Sequence, residues 1–131
     1  MILNLTQHPA TPEQRAEGVR DLSGAELAAL KGELTFADIP SAEEIRARSE
    51  AIAQIACANG LAGDEGDDPQ PRAAMVGGAG YLMPALEAEL RGYGIEPLHA
   101  FTRREVVESM GADGAVTKTA IFRHAGWVRT A

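Results

Sequence analysis

The sequence predicts an α/β fold: a mostly parallel sheet flanked by helices, with an antiparallel hairpin at its C-terminal edge. Three observations carry this. Residues 72–104 read as strand, helix, strand, a crossover that makes a right-handed parallel pair. Before them, an apolar run near the N-terminus is followed by three helix-start signals. After them, "ADG" separates two strand-like runs. The resulting class is Rossmann-like, with the strand order left open.

"MILNLT" supplies the first strand, with Ile2, Leu3 and Leu5. Thr11, Pro12 and Gln14 then form a cap, an N1 proline and a capping-box partner, and Gly18 keeps that helix short. Ser23 and Glu26 predict a second capping box, with Gly32 as the stop. "LTFADIP" predicts a short strand ending at Pro40. Ser41 and Glu44 predict a third box and a helix running to about Asn59, with Ile45, Ile52, Ile55 and Ala56 near its buried face. "AGDEGDDPQP", residues 62–71, is an acidic loop without the spacing or distal glutamate of an EF-hand.

"AAMVGG" predicts a strand that turns at glycines into a helix from about Gly80 to Tyr93, with Leu82, Leu86 and Leu90 on its buried face. Gly94 closes it. "IEPLHAFT" is the next strand, ending near Thr102. A hairpin follows from Arg103, with Asp113-Gly114 as its turn.

The chain has 131 residues, enough for one domain and one core over 1–131. No apolar run reaches the roughly 18 residues of a membrane span, and the N-terminus lacks the basic start of a signal peptide. The lone Cys57 makes no internal disulfide and reads as helix packing. These features predict a cytoplasmic protein that binds no membrane. The net charge of −7 is uneven. Residues 1–71 carry 5 basic and 13 acidic groups; residues 72–131 carry 7 and 6. Such a chain is poorly suited to long nucleic acid, whose phosphates need basic surface. A compact anion held by the C-terminal part is compatible with it.

Candidate chemistry gathers at strand ends, where parallel α/β sheets bind ligands. Gly77, Gly78, Ala79, Gly80 and Tyr81 either cradle an anion with backbone N–H groups or simply turn the chain tightly. Met83 spoils a dinucleotide fingerprint, and no "GK[ST]" marks a P-loop. If Thr102, Arg103 and Arg104 end their strand, they share a rim with these glycines and with Gln7 and His8 after the first strand. His99, inside a strand, reads as structural; His124 lies late in the last strand. Spacing for a metal site is absent, as are a "GxSxG" elbow and an activating partner for Cys57. The expected chemistry therefore uses no metal and no cofactor.

"LTQHPATPEQ", "VGGAGYLMPALEAELRGYGIEPLHAFTRR" and "DGAVTKTAIFRHAGWVR" together resemble the small stand-alone CRISPR-associated ring nucleases with a CARF-like fold. The resemblance covers about residues 1–20 and 74–129. It implies a homodimer that binds a cyclic oligoadenylate across its two-fold axis. It implies cleavage without metal, a ribose 2′-hydroxyl attacking its neighbouring phosphate, or sequestration alone. By position, His8, Arg103, Arg104 and His124 would be catalytic, with Gln7, Gly77 to Tyr81 and Thr102 binding the ring. The chain departs from the pattern at "GGAG", where a hydroxyl residue is expected soon after the glycine; Tyr81 is the nearest substitute. A different class is a phage or prophage interaction protein acting through the acidic N-terminal half.

Overall fold

The computed structural model describes residues 1–59 and 72–131. The acidic loop expected over 62–71 lies outside the described residues. In chain order the elements are β1 (Ile2–Leu5), α1 (Pro12–Ala16), β2 (Val19–Asp21), α2 (Gly24–Leu34), α3 (Ala42–Asn59), β3 (Ala73–Val76), α4 (Met83–Gly92), β4 (Glu96–Met110) and β5 (Val116–Val128). The sheet order is β2-β1-β3-β4-β5. β2, β1, β3 and β4 run parallel, and β5 returns antiparallel to β4. This is the Rossmann-like α/β class expected. Among the described residues, no helix is long and apolar enough to cross a membrane.

Side chains alternate across the short parallel strands, so each strand feeds two layers. Leu3, Leu5, Ala74 and Val76 join Leu30, Leu34, Ile52, Leu82, Leu86 and Leu90 in the larger core beneath α2, α3 and α4. Met75 and Val19 face a smaller layer with Ala10 and Ile2, onto which Trp127 packs. Cys57 is half-buried against the larger core, and burial pushes its thiol up, away from the nucleophilic thiolate.

Thr11 forms its capping box with Gln14 as expected. α3 runs to Asn59, and Ile52 and Ala56 are buried on its core face. Several local expectations need correction. Ser23 precedes α2 but makes no side-chain cap, because Gly24 enters with φ +58 and breaks the regular first turn. Gly32 does not stop α2; buried Leu30 and Leu34 carry the helix two residues past it. "LTFADIP" is a connection, not a strand. Both edges of β1 are taken by β2 and β3, and β2 was not anticipated. Arg48 satisfies the α2 end instead, donating to the carbonyls of Gly32 (3.1 Å) and Glu33 (3.2 Å), while lying 4.3 Å over the Phe36 ring. Its other nitrogen takes the Glu44 carboxylate at 2.8 Å, so the third box is only half made: Ser41 accepts from the Glu44 N–H. α4 begins at Met83 rather than Gly80, after a turn closed by Leu82 N–H on the Ala79 carbonyl.

The largest correction concerns β4. It does not end near Thr102 but continues to Met110. No Gly, Pro or Asn interrupts 98–110, and Val106 and Val107 suit a strand. β3 pairs only Glu96 to His99, so beyond that point β4 and β5 form a free two-stranded ribbon. A register shift between Phe101 and Thr102 marks where the ribbon leaves the sheet, with Gly126 (φ +150) opposite. Its turn is the expected one. Gly114 has φ +80, and Asp113 accepts the Ala115 N–H at 3.0 Å.

Candidate functional site

β2 lies on one side of β1 and β3 on the other, so the strand order reverses at β1. Between the carboxyl ends of β1 and β3 the covering segments diverge and a crevice opens. A cleft of about 610 Å³ sits there. Thr6 to Pro9 form one wall, Gly77 to Ala79 a second, and His99 with Ala100 a third.

The first wall is held from beneath. Asn4, 3% exposed, donates to the His8 carbonyl and to Asp21, each at 2.8 Å. Its own oxygen accepts the Thr6 N–H (2.9 Å) and hydroxyl (2.7 Å). Asp21 also accepts the Ala10 N–H and pairs with Arg15. Burial raises the Asp21 carboxyl, but hydrogen bonds from Asn4, Ala10 and Arg15, with the Arg15 charge, outweigh it and hold the group below its ordinary value. This network fixes the turn that presents the Gln7 and His8 side chains. Gln7 reaches Thr35 at 3.4 Å.

The second wall needs its glycines. A Cβ on Gly77 would lie 3.3 Å from Thr6 Cγ2, and Gly78 has φ +147. The backbone can therefore pass close to the β1 turn.

The third wall was not anticipated. His99 Nε2 lies 2.7 Å from Glu87 Oε1 of α4, and the Thr130 hydroxyl donates to the same oxygen at 2.8 Å. Arg91 in turn donates to the Thr130 hydroxyl. Glu87 is 8% exposed. Burial raises its carboxyl, but the His99 and Thr130 hydrogen bonds, with the charges of His99 and Arg91, bring it below the usual value. The available signal was helical spacing: Glu87 interrupts the apolar face of α4 beside Leu86 and Leu90.

The model of the uncharacterized protein MJ1673 family matches residues 1–128. The chain belongs to that family. The MJ1673 match spans all three cleft walls and the whole ribbon. No curated protein and no solved structure matches the chain.

Of the expected site residues, the structure brings Gln7, His8, Gly77, Gly78 and Ala79 together. Tyr81 lies in a neighbouring depression with Ile39 and Ile45, its ring edge-on to Phe36 at 5.2 Å; Gly80 has nothing near a Cβ position. Thr102, Arg103 and Arg104 do not sit on the rim. They pair with His124, Arg123 and Phe122 inside the ribbon, roughly 10–15 Å beyond His99 at the usual rise per residue. His124 does not reach the cleft. Its side chain is 2% exposed, held 2.9 Å from Glu17 and stacked at 4.7 Å on Trp127, whose indole N–H donates to the same carboxylate. Chiefly through the His124 hydrogen bond, Glu17 titrates below its ordinary value. The group clamps β5 to the end of α1.

Proposed function

We propose that the cleft binds a compact phosphate-bearing nucleotide, a cyclic oligoadenylate, and that two copies of the chain cleave it without metal. The observation that carries this reading is the cleft itself: a switch-point crevice lined by Gly77 to Ala79 together with Gln7 and His8. The crevice walls contain no arginine or lysine. Arg103 and Arg104 stand on the ribbon, and neither has an ion-pair partner among the described residues. A ring spanning two clefts would meet four of these guanidiniums.

In-line attack by a ribose 2′-hydroxyl forms the P–O2′ bond and breaks P–O5′, leaving a linear product with a 2′,3′-cyclic phosphate. His8 supplies the proton for the departing 5′-oxygen. Buried His124 serves the fold instead. The arginines stabilise charge on phosphorus.

The test is calorimetry and product analysis with cyclic tri-, tetra- and hexa-adenylate in EDTA. Binding with a linear product is expected for at least one ring. Binding without product makes the protein a sponge for the ligand. Neither binding nor product, for any ring, overturns the reading. An Arg103→Ala/Arg104→Ala protein should keep its circular dichroism spectrum and lose at least tenfold in affinity, about 1.4 kcal/mol.

A further inference from the structure

We infer that Glu87 and His99 form the proton-accepting pair of the cleft, with His99 the general base and Glu87 its positioning residue. The inference rests on the cleavage reading above and adds the base which that reading lacks. Three observations support it. His99 lines the cleft wall opposite the His8 turn. Its Nε2 is engaged with Glu87 at 2.7 Å, which leaves Nδ1 as the ring atom that can serve the cleft. Glu87 is itself fixed, 8% exposed and holding the Thr130 hydroxyl on the same oxygen.

An ionised carboxylate accepts hydrogen bonds only. Facing Glu87, neutral His99 must carry its proton on Nε2 and its lone pair on Nδ1. That tautomer is the one a base on this wall requires. The groups that face the pair are Thr130 and Arg91, together with the imidazole itself; Arg91 touches the Thr130 hydroxyl rather than the ring. Proton uptake at Nδ1 creates an imidazolium beside the Glu87 charge, so the carboxylate stabilises the product of the transfer. The atoms balance. The 2′-hydroxyl proton moves to His99 Nδ1, the P–O2′ bond forms as P–O5′ breaks, and a proton from His8 goes to the 5′-oxygen. Solvent then returns both imidazoles to their starting states. Two histidines on opposite walls of one cleft supply both halves of the reaction.

The contact fixes a tautomer in the free protein, and the base role adds a demand on the cleavage rate that a merely structural contact does not make. ¹⁵N spectra of the histidine rings, recorded where His99 is neutral, should show the Nε2–H tautomer. Glu87→Gln should mix the two tautomers. With whichever ring the wild type cleaves, His99→Gln keeps a donor toward Glu87 but lacks Nδ1. It should lower the cleavage rate about 10²–10⁴-fold and leave the affinity within threefold, about 0.7 kcal/mol. Glu87→Gln should lower the rate by a smaller factor, and Glu87→Asp should restore part of it. An Nδ1–H tautomer in the wild type, or a His99→Gln protein that cleaves at the wild-type rate, overturns the pair. A wild type that binds no ring overturns the function proposed above, and one that binds but cleaves none removes the step the base would serve; the tautomer spectra need no ligand and test the Glu87–His99 contact separately.

Discussion

Two of the glycines after β3 differ in what they require. Gly78 has φ +147, a backbone region nearly closed to other residues, and its Cβ would also meet Leu34 and Met83 at 3.6 and 3.7 Å. Gly80 has an ordinary φ and open space around it. Gly78→Ala should therefore destabilise by about 1–3 kcal/mol, while Gly80→Ala should stay within about 0.5 kcal/mol. Urea midpoints compare them directly. Equal effects would remove the close-approach account of the turn. In "GGAG" the glycines looked alike, because φ is not written in the residue name. The histidines show the same limit. His99 and His124 both lie inside strands, and the sequence ranked them in the wrong order for reaching the cleft. Their roles depend on Glu87 and Glu17, partners 12 and 107 residues away. Residues near a turn, such as His8 and Gly77, were legible because local chemistry places them.

Elements with strong local signals were read well. The Thr11 capping box, the end of α3 and the Asp113-Gly114 turn all depend on neighbours in sequence. β2 escaped because Val19–Asp21 is only 3 residues long and follows a glycine without any alternation to detect. Yet it positions Asp21, which holds the β1 turn through Asn4 and Ala10. Asp21→Ala removes one of the two acceptors of the Asn4 amide and the side-chain acceptor of the Ala10 N–H, and should cost about 1–3 kcal/mol at neutral pH. The sign of the pH effect follows from the depressed carboxyl. Its stabilisation is fully present above the ordinary value of 3.8 and is lost as the pH falls through the lower folded value. Urea midpoints of wild type and variant should therefore converge as the pH drops below 3.8. A gap that stays constant through that range would mean Asp21 acts by packing alone.

The whole molecule divides into an acidic body and a ribbon held to it at its base by His124 and Glu17. Residues 102–124 carry four basic and three acidic groups, against eight and sixteen in the rest of the chain. The pairs Arg104–Phe122, Val106–Ala120 and Met110–Val116 share one face of the ribbon, with Phe122 70% and Met110 75% exposed. An isolated two-stranded ribbon is at best marginally stable in water, and this one leaves both edges unpaired as well. The two-fold dimer proposed above would set the slightly basic ribbon of each copy against the acidic body of the other, a reciprocal contact. In that dimer each ribbon would bring Arg103 and Arg104 toward a cleft whose walls hold no arginine or lysine. Light scattering should find the wild type dimeric. A Met110→Asp/Phe122→Asp protein should be monomeric, keep the helical dichroism of its body, and lose ring affinity although neither residue lines the cleft. A wild type that stays monomeric at every concentration tested, or a monomeric variant with undiminished affinity, would place the complete site within one chain and leave the ribbon to some other partner.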